Sequence, residues 1–268
     1  MNMKQLTVIG GGQMGRALVS GMLAGNVLSA EAVVLVEPSP ESQAWWREHH
    51  PQVTVGVELA AAVKDADIVL LAVKPNIVAS VTQQPADFWS GKLVVSIAAG
   101  ISLERLCDWI GHGRVVRVMP NTPSLVGAGA SAFCGADEVT DDDRQQIEAM
   151  LGSVGLAVRV DESQLDAVTG LSGSGPAYVC LIIEALADGG VLAGLPRPLA
   201  MQLATQTVLG TATMIAETGR HPGELKDAVA SPGGTTIAAL RTLEQNGVRG
   251  ALIEAVAASA ERSKELGG

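Results

Sequence analysis

A short β-branched strand, Leu6 to Ile9, runs straight into Gly10-Gly11-Gly12-Gln13-Met14-Gly15. That order, strand then GxGxxG then helix, constrains the chain more than any other segment. Gly10 permits the tight turn, and Gly12 lets the backbone approach a pyrophosphate. Gly15 lets the helix from about Met14 to Ala24 pack closely on the strand. Gln13 and Met14 occupy the first turn of that helix, where backbone N–H groups face an anion. The plain alternative is a structural glycine-rich turn. A second strand, Val33 to Val36, ends at Glu37-Pro38-Ser39-Pro40. An acid at this place suits the adenosine 2′-hydroxyl and repels a 2′-phosphate, which leans toward NAD(H). Ser39 can donate to a phosphate, no Arg is adjacent, and Glu37 can also point into solvent. The choice between NAD(H) and NADP(H) stays open on these residues.

The alternation continues. Strands are expected at Ile68 to Val73, Leu93 to Ile97 and Val115 to Met119, with helices at Glu41 to Glu48, Glu58 to Lys64 and Asn76 to Gln83. Ile68 to Val73 is fully apolar, and the strands are continuous apolar runs rather than alternating ones, which predicts a parallel sheet covered on both faces. Ligands of such sheets bind beyond the carboxyl ends of the strands. Ala72-Val73-Lys74-Pro75 lies at one such end, with Lys74 either facing the cofactor or capping a helix C-terminus. Ala98-Ala99-Gly100 lies at another, small enough for a nicotinamide ring to rest against backbone. Asn121, within Met119-Pro120-Asn121-Thr122-Pro123, either bonds a carboxamide or ribose or belongs to a rigid turn.

After about Val160 no strand is evident. Helices are expected at Leu165 to Thr169, Pro176 to Ala193, Pro198 to Glu217, Glu224 to Ala230, Ile237 to Gln245 and Arg249 to Leu266. The fold class is therefore an α/β Rossmann-like N-terminal domain, residues 1–160, followed by an all-α C-terminal domain, residues 161–268. The run Tyr178 to Ile183 is apolar on all sides, so it belongs in a core or at a subunit interface. A helical domain this small buries little of its own surface, which predicts a homodimer at least. In Gly170 to Ala177, Ser174 is either the N-cap of the long helix or part of a backbone close to a ligand. In Ser231-Pro232-Gly233-Gly234-Thr235-Thr236, two glycines and two threonines open a helix with bare N–H groups, an anion site with hydroxyls beside it.

Other classes are disfavoured. The 268 residues are 47% hydrophobic and 17% charged, which excludes disorder, and aromatics at 3% leave a core of Ala, Val, Leu and Ile. A net charge of −10 without a basic run argues against nucleic acid. Cys107, Cys134 and Cys180 are scattered and read as free, buried thiols in a reducing compartment. No signal-peptide layout follows Met1-Asn2-Met3-Lys4, and no uninterrupted apolar run reaches the ~18 residues of a membrane span. A cytoplasmic protein without a membrane partner is expected. His49, His50, His112 and His221 have no metal-ligand spacing, and no GxSxG is present, so neither a metal site nor a serine hydrolase is expected.

Taken together, these segments resemble pyrroline-5-carboxylate reductases over nearly the whole chain. The resemblance rests on Gly10 to Gly15, Ala72 to Pro75, Met119 to Pro123, Gly170 to Tyr178 and Glu184 to Gly190. Its most specific part is His221-Pro222-Gly223-Glu224-Leu225-Lys226-Asp227 running into Ser231 to Thr236. The resemblance implies an oxidoreductase of proline biosynthesis that reduces 1-pyrroline-5-carboxylate to L-proline with NADPH or NADH. It implies a helical domain that dimerises and binds substrate, and larger rings of dimers in some members. Family members often use NADPH, so Glu37 is a local departure. Thr236 then hydrogen-bonds the ring nitrogen as the catalytic group. Ser231, Gly233, Gly234, Thr235 and Ser174 complete the substrate site. A β-hydroxyacid dehydrogenase is the competing enzyme, but Gly170 to Val191 offers no lysine base. A dinucleotide-sensing regulator would have no need of the 231–236 site.

Overall fold

The computed structural model describes residues 5–84 and 86–267; Met1 to Lys4 lie outside it. The first elements are β1 (Leu6–Ile9), α1 (Gln13–Ala24), β2 (Val33–Val36), α2 (Pro40–His49), β3 (Thr54–Gly56), α3 (Leu59–Lys64), β4 (Ile68–Leu71) and α4 (Pro75–Thr82). Then come β5 (Leu93–Ser96), α5 (Leu103–Ile110), β6 (Val115–Met119), β7 (Gly129–Gly135), α6 (Asp141–Gly152) and β8 (Gly155–Arg159). They form one sheet of order β3-β2-β1-β4-β5-β6-β7-β8. Strand order reverses beside β1, which puts a topological switch point at the carboxyl ends of β1 and β4.

The sheet is parallel from β3 to β6, as the apolar strands predict, but β7 runs antiparallel to β6 and β8 parallel to β7. The link from β6 to β7, residues 120–128, is too short for a parallel crossover, which needs a dozen or more residues. The strands expected from the sequence stop at Met119. Gly129 to Gly135 is built from small residues of low strand propensity, and pairing on both sides makes it a strand. Along β1 and β4 successive side chains enter opposite layers. Leu6, Val8, Ile68 and Leu70 join the cluster with Leu18 and Met22 of α1, while Val69 and Leu71 join the cluster with Leu106 of α5. This two-sided burial is what the unbroken apolar runs encode.

One buried ion pair locks the far end of the sheet. Thr140 caps α6: its Oγ1 accepts from Asp143 N–H at 3.2 Å, and the Asp143 carboxylate accepts from Thr140 N–H at 3.1 Å. Arg114 donates to both carboxylate oxygens, at 3.0 and 2.6 Å. Burial pushes the Asp143 carboxyl up, but these donors and the guanidinium charge outweigh it and hold it at about 2.

The remaining helices are α7 (Leu165–Val168), α8 (Gly175–Leu192), α9 (Arg197–Thr218), α10 (Pro222–Ala228), α11 (Thr235–Gln245) and α12 (Val248–Gly267). Two compact units result. One holds the chain to Ser174 together with Ala258 onward, and the other is Gly175–Ala257. Strand pattern puts a division near residue 160, because the last strand ends at Arg159. The compact units part later because α7 and the end of α12 pack with the sheet: Ser263 Oγ donates to Asp166 at 2.7 Å. Within the second unit, α8 and α9 meet through Ala187, Ala200 and Ala204.

The depressed Asp143 carboxyl ties stability to acid pH. Its contribution is whole above the unfolded value near 4 and is lost as pH falls through about 2. A thermal melt series from about pH 6 to pH 2 should therefore show a loss on the order of 2 kcal/mol that Asp143→Asn removes.

Candidate active site

The glycine loop divides its labour by position. Gly10 has φ +103, and a Cβ there would sit 2.6 Å from the Ala72 carbonyl oxygen. A Cβ on Gly15 would lie 2.5 Å from the Gly10 carbonyl oxygen, so Gly15 sets the close contact of α1 with the turn. A Cβ on Gly12 would meet nothing within 4 Å. Gly12 is also the N-cap of α1, with no side chain bonded to the helix start and no acid in the first turn. Free N–H groups there, at the positive end of a helix dipole, suit a pyrophosphate.

Gly11 is gripped from both of its peptide groups. Its N–H donates to Glu37 Oε2 at 2.7 Å. Its carbonyl accepts from Ser42 Oγ at 2.8 Å, Trp46 Nε1 at 3.0 Å and Arg16 Nε at 3.1 Å. Trp46 is fully buried, and Arg16 also lies over the Trp45 ring at 4.3 Å. The sequence reading missed Ser42, Trp46 and Arg16. Ser42 and Trp46 sit one turn apart on α2, a helix that the GxGxxG pattern says nothing about.

Beyond the strand ends lies an open cleft of about 390 Å³, lined by Gly12, Gln13, Met14, Ala72, Val73, Lys74, Pro75, Ile97, Ala98, Ala99, Met119 and Pro120. Nine of the residues expected to hold the cofactor thus converge from three chain segments. Lys74 stands at the N-cap position of α4, its exposed side chain without a hydrogen bond or ion pair among the described residues. It does not cap a helix C-terminus.

Three expected cofactor contacts lie elsewhere. Gly100 turns at φ +75, and its would-be Cβ faces Leu266 at 3.5 Å rather than the cleft. Asn121 is buried, and its amide is committed to the protein: Oδ1 accepts from Ala130 N–H at 2.8 Å and Nδ2 donates to the Ser172 carbonyl at 3.1 Å. Ser39 caps α2, its Oγ accepting from Ser42 N–H at 3.3 Å.

Ser174 is not an N-cap. The chain enters α8 through a π-helical turn, Thr169–Gly173, so Ser174 is already helical, and its Oγ pairs with Ser259 Oγ at 2.8 Å. Single π turns of this kind occur frequently at functional sites. This one is bonded to the Met119–Asn121 loop through Ser172.

In the second unit, α11 starts two residues earlier than the sequence suggests. Gly234 is its N-cap, with extended backbone and no side-chain bond to the helix start. Thr235 and Thr236 are therefore the first two helical residues and cap nothing. Neither hydroxyl has a hydrogen-bond partner among the described residues, and Thr236 is half-buried. Gly233 turns at φ +67, and a Cβ on Gly234 would collide with Ser231 Oγ. A hollow of about 450 Å³ opens here, lined by Gly233, Gly234, Ile237, Ala238, Arg241 and Lys226, with Glu244 at its edge. Arg241 escaped the sequence reading, although the spacing 234, 238, 241 puts it on the same helix face.

A family description "pyrroline-5-carboxylate reductase dimerisation" matches residues 162–266, and "NADP oxidoreductase coenzyme F420-dependent" matches residues 5–100. A pyrroline-5-carboxylate reductase of a Synechocystis species is 46% identical over 263 residues, 98% of each chain. The structure of a pyrroline-5-carboxylate reductase from Coxiella burnetii matches with TM-score 0.93 and 36% identity over the whole of both chains. That of Plasmodium falciparum pyrroline carboxylate reductase, with NADP bound, matches with TM-score 0.90 and 34% identity, again over both whole chains. The chain belongs to the pyrroline-5-carboxylate reductase family.

The second unit has only a small core of its own, built on alanine. Along α8 only Ala187 is fully buried, while Leu181, Leu186 and Leu192 are 67%, 50% and 90% exposed. Glu162–Leu192 forms a helical stretch long and apolar enough by composition to cross a bilayer, although no single unbroken apolar run of that length occurs in it. It lies inside the dimerisation match. Cys180, expected to be buried, is exposed on this same surface. Burial pushes the Cys134 thiol up to about 12 and raises Cys107 as well, which suits neither to nucleophilic work. His221 caps α10 through Nδ1, accepting from Gly223 N–H at 3.0 Å. Among the described residues no group of three His, Cys, Asp or Glu side chains is placed to hold a metal ion.

The three glycines should separate by variant. Gly12→Val should weaken nucleotide binding by about tenfold or more with the melting temperature nearly unchanged, whereas Gly15→Val should lower the melting temperature first. Trp46→Phe, which removes one donor to Gly11, should cost about 1 kcal/mol of stability and loosen nucleotide binding a few-fold. Calorimetric titration and thermal melts read both quantities.

Proposed function

We propose that the chain reduces the C=N bond of 1-pyrroline-5-carboxylate to give L-proline, with NADH or NADPH as reductant, the last step of proline biosynthesis. The observation that carries this reading is the start of α11. A glycine-capped helix with bare N–H groups and two unengaged threonine hydroxyls occurs in a chain of this reductase family.

The residues take these roles. The loop around Gly10, Gly12, Gln13, Met14 and Gly15 holds the pyrophosphate, and Glu37 and Ser39 lie toward the adenosine ribose. Ala72 to Pro75 and Ala98-Ala99, with the loop held by Asn121, border the nicotinamide side. The bound nicotinamide supplies a hydride to the imine carbon. The free N–H groups at Gly233 and Thr235 bind the substrate carboxylate, with Ser231 and Gly234 beside them; the Gly234 N–H itself donates to the Ser231 carbonyl at 3.0 Å. Thr236 hydrogen-bonds the ring nitrogen, which must carry a proton for its carbon to accept hydride. A threonine hydroxyl orients more than it acidifies, so most of the acceleration comes from positioning. Ser174 completes the substrate site through the turn that leads into α8.

Residues 161–268 then serve as the dimerisation and substrate-binding domain, residues 1–160 as the dinucleotide-binding domain. The exposed apolar face of α8 and α9 is covered by a second copy, giving a homodimer or a higher assembly of dimers. The enzyme works in the cytoplasm, apart from membrane and nucleic acid. A β-hydroxyacid dehydrogenase needs a lysine base that Gly170 to Val191 lacks.

Consumption of NADH or NADPH on adding pyrroline-5-carboxylate tests the reading, and no turnover with either would overturn it. Thr236→Ala should lower kcat about tenfold or more with the fold intact. Gly234→Val should raise the substrate KM, and it carries a stability cost because its side chain meets Ser231.

A further inference from the structure

We infer that Glu37 makes this chain selective for NADH over NADPH, in contrast to the relative whose structure holds NADP. The inference rests on the cofactor cleft proposed above. Glu37 follows the last residue of β2, the place where an acid meets the adenosine ribose hydroxyls. Its residue is 8% exposed, and both carboxylate oxygens are held. Oε2 accepts from Gly11 N–H at 2.7 Å, and Oε1 accepts from Ser39 N–H at 2.8 Å. Each oxygen keeps a second lone pair, enough to accept from a ribose hydroxyl.

The two backbone donors matter because they fix the charge. A free glutamate could swing into solvent when a 2′-phosphate arrived; this one would have to break two bonds to do so. The guanidinium groups of α1 and α2 are tied into bonds of their own. Arg16 bonds the Gly11 carbonyl and Ser42 Oγ and lies over Trp45. Arg47 bonds Gln43 Oε1 on the outer side of α2. The N–H of Ser42 in the first turn of α2 already bonds Ser39 Oγ. Beside this fixed negative charge, the Ser39 hydroxyl hydrogen is a neutral donor. Repulsion between a carboxylate and a phosphate dianion in partial burial exceeds what one such bond returns.

Binding is read without substrate, by calorimetry or by energy transfer from tryptophan to bound nicotinamide, with NADH and NADPH in parallel. The wild type should bind NADH about tenfold tighter or more. Glu37→Gln should shrink that ratio about fivefold or more, chiefly by tightening NADPH, and Glu37→Asp should keep NADH preferred. NADPH binding as tightly as NADH, or a ratio that Glu37→Gln leaves unchanged, overturns the inference. Should Glu37→Gln melt early, the wild-type ratio and Glu37→Asp still decide it. A clear NADH preference without turnover of pyrroline-5-carboxylate would leave this inference standing and sink the proposed reaction. Failure of both nucleotides to bind would overturn the cleft and the inference together.

Discussion

The peptide groups of Gly11 join the sheet to the nucleotide cleft. Its N–H is held by Glu37 at the end of β2, and its carbonyl by Ser42, Trp46 and Arg16. Four side chains thereby orient one turn of backbone in a buried setting, where each lost bond would leave an unsatisfied polar atom. Because that turn is fixed, Gly12 presents its open side and the first N–H groups of α1 outward. The cleft inherits its shape from this arrangement, and so does the position of the Glu37 charge.

The two units meet the demand for burial in different ways. The sheet has apolar layers on both faces, with fully buried Trp46, Trp89 and Phe133 filling the largest spaces. In Gly175–Ala257 the buried contacts are few and built on alanine. Small side chains let α8 and α9 approach closely but remove little apolar area from water. The exposed leucines of α8 fall within the residues matched as a dimerisation module.

Much of the fold could be read along the chain. The strands at Val33–Val36 and Val115–Met119 have the bounds that their apolar residues suggest, and the long helices differ only by a residue or two. β7 could not be read, because Gly129 to Gly135 becomes a strand through partners distant in sequence. The candidate site was legible where backbone chemistry is written in glycine, at Gly10 to Gly15 and Gly233 to Gly234. It was illegible where side-chain direction decides. Asn121 looked like a ligand and ties two segments together. Gly100 turns toward Leu266, and Ser174, between a π-helical turn and α8, spends its hydroxyl on Ser259.

The sequence by itself determined the glycine loop, the two-faced parallel strands, the helical C-terminal half and the family resemblance. These depend on local periodicity and on residue types that only certain backbones need. Tertiary structure alone decided that β7 reverses direction, that Trp46 and Ser42 clamp Gly11, and that Thr235 and Thr236 start their helix without capping it. It also decided that the Glu37 carboxylate is held in place. Each of these depends on which groups meet across long stretches of chain, and a hydrogen bond is a matter of distance and angle that no spacing in sequence specifies.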